Sequence, residues 1–161
     1  MPWELKVAGE VAFAMVLGGV IGLEREVAHK PAGMRTHMLV AGAASLLVGL
    51  GHALIQEFTF HGTDSSSLRL QTDPIRIVEA IVTGVSFLGA GTIFRRNQAE
   101  TVEGLTTAAC LLLSAAVGVS VAVERFLLAA CVTALALIVL RGVKAAELWL
   151  ERRRNSSRRL K

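Results

Sequence analysis

The stretch IRIVEAIVTGVSFLGAGTIFRRNQAETVEGLTTAACLLLSAAVGVSVAV, Ile75 to Val123, decides the fold. Its first part, Ile75 to Phe94, is apolar apart from Arg76 and Glu79 and is crowded with the small residues Gly84, Ser86, Gly89, Ala90 and Gly91. A charged interruption, Arg95 to Glu103, gives way at once to a second apolar run that opens on Gly104, Thr106 and Thr107. Such a pair is too hydrophobic for a surface hairpin, and its acidic and hydroxyl groups do not suit lipid alone. It predicts two packed membrane helices joined by a polar turn.

The flanking sequence repeats the pattern. Upstream lie a span from about Val7 to Leu23, carrying Glu10 and the close-packing pair Gly18 and Gly22, and a span from about Met38 to Ile55 with small residues at Gly42, Ala43, Ala44 and Ser45. The turn between them, Glu24 to His37, is charged and is broken by Pro31 and Gly33. Downstream, Glu124 and Arg125 leave room for only a tight turn before Phe126 to Leu140, short for a crossing. Gln56 to Pro74 reads as an exposed polar connection with an interfacial piece at Phe58 and Phe60. Hydrophobic residues make up 53% of the 161, and mean hydropathy is +0.55. A soluble helical domain would need polar stripes that Ala41 to Ala53 and Phe126 to Leu140 lack. The expected fold is therefore all-α: a polytopic membrane protein with five transmembrane helices over residues 1–140, and a basic interfacial helix and tail over 141–161.

Charge orients this arrangement. With five spans, the first turn, the third turn and the C-terminus share one side and hold thirteen of the seventeen Lys and Arg residues. The positive-inside rule places the C-terminus in the cytoplasm and the N-terminus outside. Gly33-Met34-Arg35-Thr36 and Gly104-Leu105-Thr106-Thr107 stand 71 positions apart. That offset suggests a parallel repeat of helices 1-2 and 3-4, with chance matching of small residues as the alternative. The net charge of +4 is concentrated in the tail and bears on topology; no nucleic-acid partner is expected.

Candidate chemistry falls in two layers. Glu10 and Glu79 are carboxylates inside apolar spans, costly unless they face protein, water or a cation, and early enough in their helices to share an outward cleft. They are weak candidates for a metal; alternatively, each pairs with a neighbour, Lys6 or Arg76. On the cytoplasmic side, Glu24, Arg25, Glu26, Lys30, Arg35 and His37 would face Arg95, Arg96, Glu100, Glu103 and Thr106, either as a ligand site or as a structural ion-pair network. Cys110 and Cys131 lie in apolar runs without metal-ligand spacing and read as small hydrophobes. No nucleophile or acid pair at catalytic spacing emerges, so no enzyme is expected.

Four phrases then stand in order: Gly22-Leu23-Glu24-Arg25-Glu26, Lys30-Pro31-Ala32-Gly33-Met34-Arg35-Thr36-His37-Met38-Leu39-Val40, Phe87-Leu88-Gly89-Ala90-Gly91-Thr92-Ile93 and Glu103-Gly104-Leu105-Thr106-Thr107-Ala108-Ala109. Together they closely resemble the membrane domain of the MgtC/SapB family of bacterial inner-membrane proteins, over Val7 to Leu140. The resemblance implies a five-helix domain associated with magnesium homeostasis, virulence and survival inside host cells. Some members of that family are linked to restraint of the ATP synthase and do not themselves move magnesium. The polar set it implies is Glu24, Arg25, Arg35, Thr36, His37, Glu103, Thr106 and Thr107. Arg95-Arg96-Asn97-Gln98-Ala99-Glu100 departs from the family's Gly-rich link, and a soluble C-terminal domain found in some members is missing from the sequence. Two functions remain open. One is a membrane protein that acts by contact, as a homo-dimer or on an ATP synthase or transporter. The other is a dimeric transporter or channel for a cation such as Mg2+, using Glu10 and Glu79. No cofactor is expected.

Overall fold

In hydrocarbon every backbone N–H and C=O must be satisfied within its own segment, and the apolar runs accordingly form helices. The computed structural model describes the backbone of residues 2–61, 74–95 and 102–158, and side chains over 2–57, 74–93 and 102–142. In chain order the elements are α1 (Trp3–Val27), α2 (Met34–His61), α3 (Pro74–Gly91), β1 (Phe94–Arg95), β2 (Val102–Glu103), α4 (Leu105–Ala122) and α5 (Phe126–Arg158). Phe13, Val16, Leu39, Phe87, Leu127 and Ile138 are exposed around the outside, the surface of a bundle solvated by lipid.

Several boundaries differ from the sequence expectations. Among the described residues four helices, α1 to α4, are long and apolar enough to cross a membrane, whereas the apolar part of α5, Phe126–Gly142, is shorter. The fifth run does not end at Leu140 before a separate interfacial piece; α5 is one helix of 33 residues that carries on into the basic sequence. Likewise α2 continues to His61, so Phe58 and Phe60 extend that helix, and the rest of the expected polar connection, 62–73, lies outside the described residues. The third run stops at Gly91, where the Thr92 hydroxyl donates to the Gly89 carbonyl at 2.7 Å. The turn beyond it pairs β1 with β2, Phe94 opposite Glu103 and Arg95 opposite Val102, a short ribbon in an otherwise helical chain.

The helix α4 is the hub. It buries Cys110, Leu111, Ala115, Val117 and Val121 and takes part in two apolar clusters. One joins it to α1, α2 and α5 through Ala14, Ile21, Ala41, Ala129 and Ala136; the other joins it to α2 and α3 through Val40, Ala44, Ile81 and Val85. By contrast α3 buries only Ile81, Val85 and Gly89 and packs at the edge.

Close approach depends on missing Cβ atoms. A Cβ at Gly18 would fall 2.5 Å from the His37 carbonyl oxygen, and one at Gly118 would collide with the Ala41 backbone. Gly104, the residue before α4, has φ 97° and lies against the Thr92 carbonyl, a conformation and a contact that exclude a side chain. The ends of α1 and α4 close alike: Lys30 N–H donates to Arg25 O across His29 (φ 54°), and Arg125 N–H to Ser120 O across Glu124 (φ 61°).

Gly118→Val and Gly104→Ala are each expected to lower stability by roughly 1–3 kcal/mol or more through overpacking. Gly84→Ala, whose Cβ meets nothing within 4 Å, should be neutral or stabilising by up to about 1 kcal/mol. Thermal unfolding of the three variants in one detergent checks the order.

Candidate functional site

The inner layer is built where α1 ends and α2 and α4 begin. Glu24 and Arg25 close the last turn of α1 with 7% and 5% exposure, and Arg25 Nε donates to Glu24 Oε2 at 2.6 Å. Two adjacent residues thus neutralise each other within one turn. Both charges act on Cys110 of α4, and that of Arg25 also on His37 of α2. His37 is fully buried; its Nδ1 lies 2.9 Å from the Gly33 carbonyl, so a proton on Nδ1 donates to that oxygen. The other nitrogen, Nε2, is buried and has no hydrogen-bond partner. Thr107, one turn before Cys110, is buried in the same end of α4. Glu26 plays a different part, since its Oε2 accepts the Met34 N–H at 2.9 Å and caps the start of α2.

Of the residues singled out from the sequence for this layer, Glu24, Arg25, His37 and Thr107 are buried, whereas Arg35, Thr36, Thr106 and Glu103 are exposed. The side chain of Arg95, like residues Arg96 and Glu100, lies outside the described residues. Glu24 and Arg25 form an ion pair within the first turn.

The outer layer is a cleft of about 910 Å³ between the start of α1, the end of α2, the start of α3 and the α4–α5 turn. Glu10, 8% exposed, lines it together with Lys6, His52, Gln56, Glu57 and Glu124. The Lys6 ammonium donates to Glu124 and lies 3.9 Å from Glu10, so one cation sits between two carboxylates. That hydrogen bond, and then the Lys6 charge, hold the Glu124 carboxyl below its ordinary value of 4.5. Glu79 does not join this cleft. It is exposed on α3, and no described ion pair links it to Arg76. Both carboxylates lie near the same end of the bundle, but the helical phase of α3 sends Glu79 away from Glu10.

Two polar groups and one long-range tie escaped the sequence reading. Ser45 and Ser114 bury hydroxyls that have no partner, and Lys6, expected beside Glu10, also ties the first helix to the α4–α5 turn 118 positions later. A serine among alanines and glycines carries no signal beyond its size, and an exposed lysine none of its distant partner. Among the described residues no group of three His, Cys, Asp or Glu could hold a metal ion.

A helical bundle with lipid-type outer surfaces, an ion pair buried at one end and a lysine-bridged acidic cleft at the other defines a multi-pass membrane protein. The chain belongs to the MgtC family: the family model so described matches residues 11–149. It is 33% identical over 152 residues to an uncharacterised protein of Haemophilus influenzae, covering 94% of this chain and 61% of that one. It is 42% identical over 122 residues to a Brucella abortus protein named Protein MgtC, covering 74% of this chain and 44% of that one. With an Escherichia coli K12 protein named as a putative magnesium transporter it shares 43% identity over 107 residues, 65% of this chain and 45% of that one. The chain spans about half the length of these curated relatives. No solved structure matches it.

Arg25→Ala should destabilise the bundle by roughly 3–5 kcal/mol, because it strands a buried carboxylate, and Glu24→Gln combined with Arg25→Met should recover most of that loss. Thermal unfolding in detergent separates the two. Because the Glu124 pKa is depressed in the folded protein, its contact with Lys6 adds stability above the ordinary carboxylate value that is lost as pH falls through the depressed one. Lys6→Met should flatten that acid limb in unfolding curves taken from neutral pH downward.

Proposed function

We propose that this protein is a magnesium-linked regulator of the bacterial inner membrane that works by lateral contact with other membrane proteins and not by catalysis. One observation carries the reading: the outward face of α3. Glu79, Thr83, Ser86 and Ala90 recur at helical spacing along it and are all exposed, with Phe87 beside them at 81%. An intramembrane carboxylate turned away from its own bundle is costly in lipid and is relieved when another protein covers it. The covering surface is a second copy of this chain, giving a homo-dimer, or a larger complex such as a transporter or the ATP synthase. The link to magnesium rests on the family and on the name of the Escherichia coli relative.

In this reading α5 also crosses, borrowing length from its helical continuation, and helices 1-2 and 3-4 form a parallel repeat. The N-terminus lies outside and the C-terminus in the cytoplasm, as the clustering of Lys and Arg supports. Adaptation to the host, the virulence association, follows from the same membrane role. Of the inner-layer groups, exposed Glu103 and Thr106 are within reach of a cytoplasmic partner, and buried Glu24, Arg25, His37 and Thr107 hold the layer together. Arg95 belongs with Glu103 and Thr106.

A second reading, a dimeric transporter or channel for a cation such as Mg2+, is favoured by Glu10, a buried carboxylate lining an outward cleft. It is weakened by Lys6, whose charge lies where a divalent ion would approach both Glu10 and Glu124. The two separate in one preparation. In membranes, Thr83→Cys in a Cys131→Ser background is expected to cross-link to a dimer or a distinct larger species. Liposomes holding the purified protein are expected to release Mg2+ no faster than empty ones. Flux that is slowed by Glu79→Gln, with no cross-link through α3, would overturn the contact reading.

A further inference from the structure

Apart from the lysine-bridged cleft, the described molecule holds a groove of about 1110 Å³ between α2 and α3, one end of which opens at Arg35 and Thr36 of the other polar layer. Its floor and walls are aliphatic or small, with Leu47 and Leu50 from α2 facing Ala80 and Gly84 from α3. Arg35 lies at one mouth, beside Thr36, and Arg76 at the other, beside Leu54. Leu54 is nineteen positions beyond Arg35, so the groove runs about 28 Å along α2. That is close to the roughly 30 Å thickness of the hydrocarbon layer. Neither arginine has a carboxylate within ion-pair distance among the described residues.

An occupant must therefore be apolar along its length and negative where it emerges. A second copy related by a two-fold axis would set Arg35 against Arg35 and Arg76 against Arg76 along this face, which like charges oppose. The C-terminal segment of this chain is itself strongly basic and meets the same objection. A membrane lipid with a negative headgroup satisfies both requirements, and an arginine binds a phosphate through two parallel hydrogen bonds.

We propose that the α2–α3 groove is a binding site for an anionic glycerophospholipid, its acyl chain lying along the groove and its phosphate held by Arg35, with Thr36 as a second donor. Arg76 offers the same contact to a lipid of the opposite leaflet. The site lies on the flank of α3 away from Glu79, so it stands or falls independently of the contact surface on the other flank. A lipid seated here fills the gap left by loose α2–α3 packing and holds α3 in place.

The full-length protein, purified in detergent, would be mixed with phosphatidylglycerol or phosphatidylcholine of identical acyl chains, and retained lipid counted by native mass spectrometry. The wild type is expected to keep phosphatidylglycerol roughly tenfold more strongly than phosphatidylcholine, because both phosphates attract the arginine but the choline cation is repelled by it. Arg35→Gln should weaken that preference, and Arg35→Gln with Arg76→Gln should abolish it, while leaving chain occupancy. Gly84→Leu should lower retention of both lipids, since a side chain there enters open space and fills the groove without a clash. Should Gly84→Leu fail to keep its helical circular dichroism, Ala80→Leu reads the same wall. Equal retention of the two lipids by the wild type overturns the proposal, as does phosphatidylglycerol binding unaffected by groove filling. A disulfide between two copies through Leu47→Cys in membranes overturns it too, since a helix would then occupy the groove.

Discussion

A buried charge pair in a membrane helix is tolerable only while protein covers it, and the bundle is arranged around that requirement. Glu24 and Arg25 end α1 where a soluble protein would let water solvate them, yet both are almost wholly enclosed. Part of the cover comes from α4, whose second turn brings Cys110 within reach of both charges. For α4 to reach the centre, its backbone must touch that of α2, and the missing side chain of Gly118 against Ala41 allows this. Gly104 lets the chain turn sharply into α4 from the β ribbon, so the start of the helix falls level with the pair. Packing by small residues and burial of charge are one problem solved with one helix.

The two ends of the bundle are fastened differently. At the inner end neutralisation is local, between neighbours in one turn, which fixes the shape of that turn without tying it to another. At the outer end Lys6 reaches from α1 to the α4–α5 turn, a cross-link between segments distant in sequence. Of the four long apolar helices α3 is the least buried, and its two flanks differ in chemistry. One carries a carboxylate and hydroxyls; the other is aliphatic, with Arg76 at its end. Both proposed surfaces thus sit on the helix of these four that is least committed to the core.

Much of the helix framework was legible because hydrocarbon imposes a length and an internal pattern of hydrogen bonding that sequence displays openly. Gly18 and Gly22 announced the close crossing of α1 with α2, and Gly104 the turn into α4. Helix ends were harder to read: polar residues after Ile55 suggested a loop, but α2 runs on to His61, since nothing between Gln56 and His61 breaks a helix. The basic character past Leu140 suggested a change of element, yet Arg, Lys, Ala, Glu and Leu are all good helix formers and α5 simply continues. For the candidate site the sequence showed which polar residues stand in apolar surroundings but not what each one faces. Glu10 and Glu79 both fall in the first half of their helices, yet rotation about α3, which position along a helix does not reveal, leaves Glu79 out of the cleft that Glu10 lines. Buried Glu24 pairs with its neighbour Arg25, a partner that two facing charged turns do not single out in sequence.

The unbroken course of α5 has a mechanical consequence. Beyond Gly142 the helix adds sixteen residues, about 24 Å along the same axis, to an apolar portion that is itself near the minimum for a crossing. A rod of that length does not bend freely at the bilayer surface, since no proline or glycine interrupts it after Gly142. Whatever meets its far end does so at a set distance from the apolar portion, and tilting of the rod would transmit directly to Ala129 and Ala136, where it is wedged against the rest of the bundle.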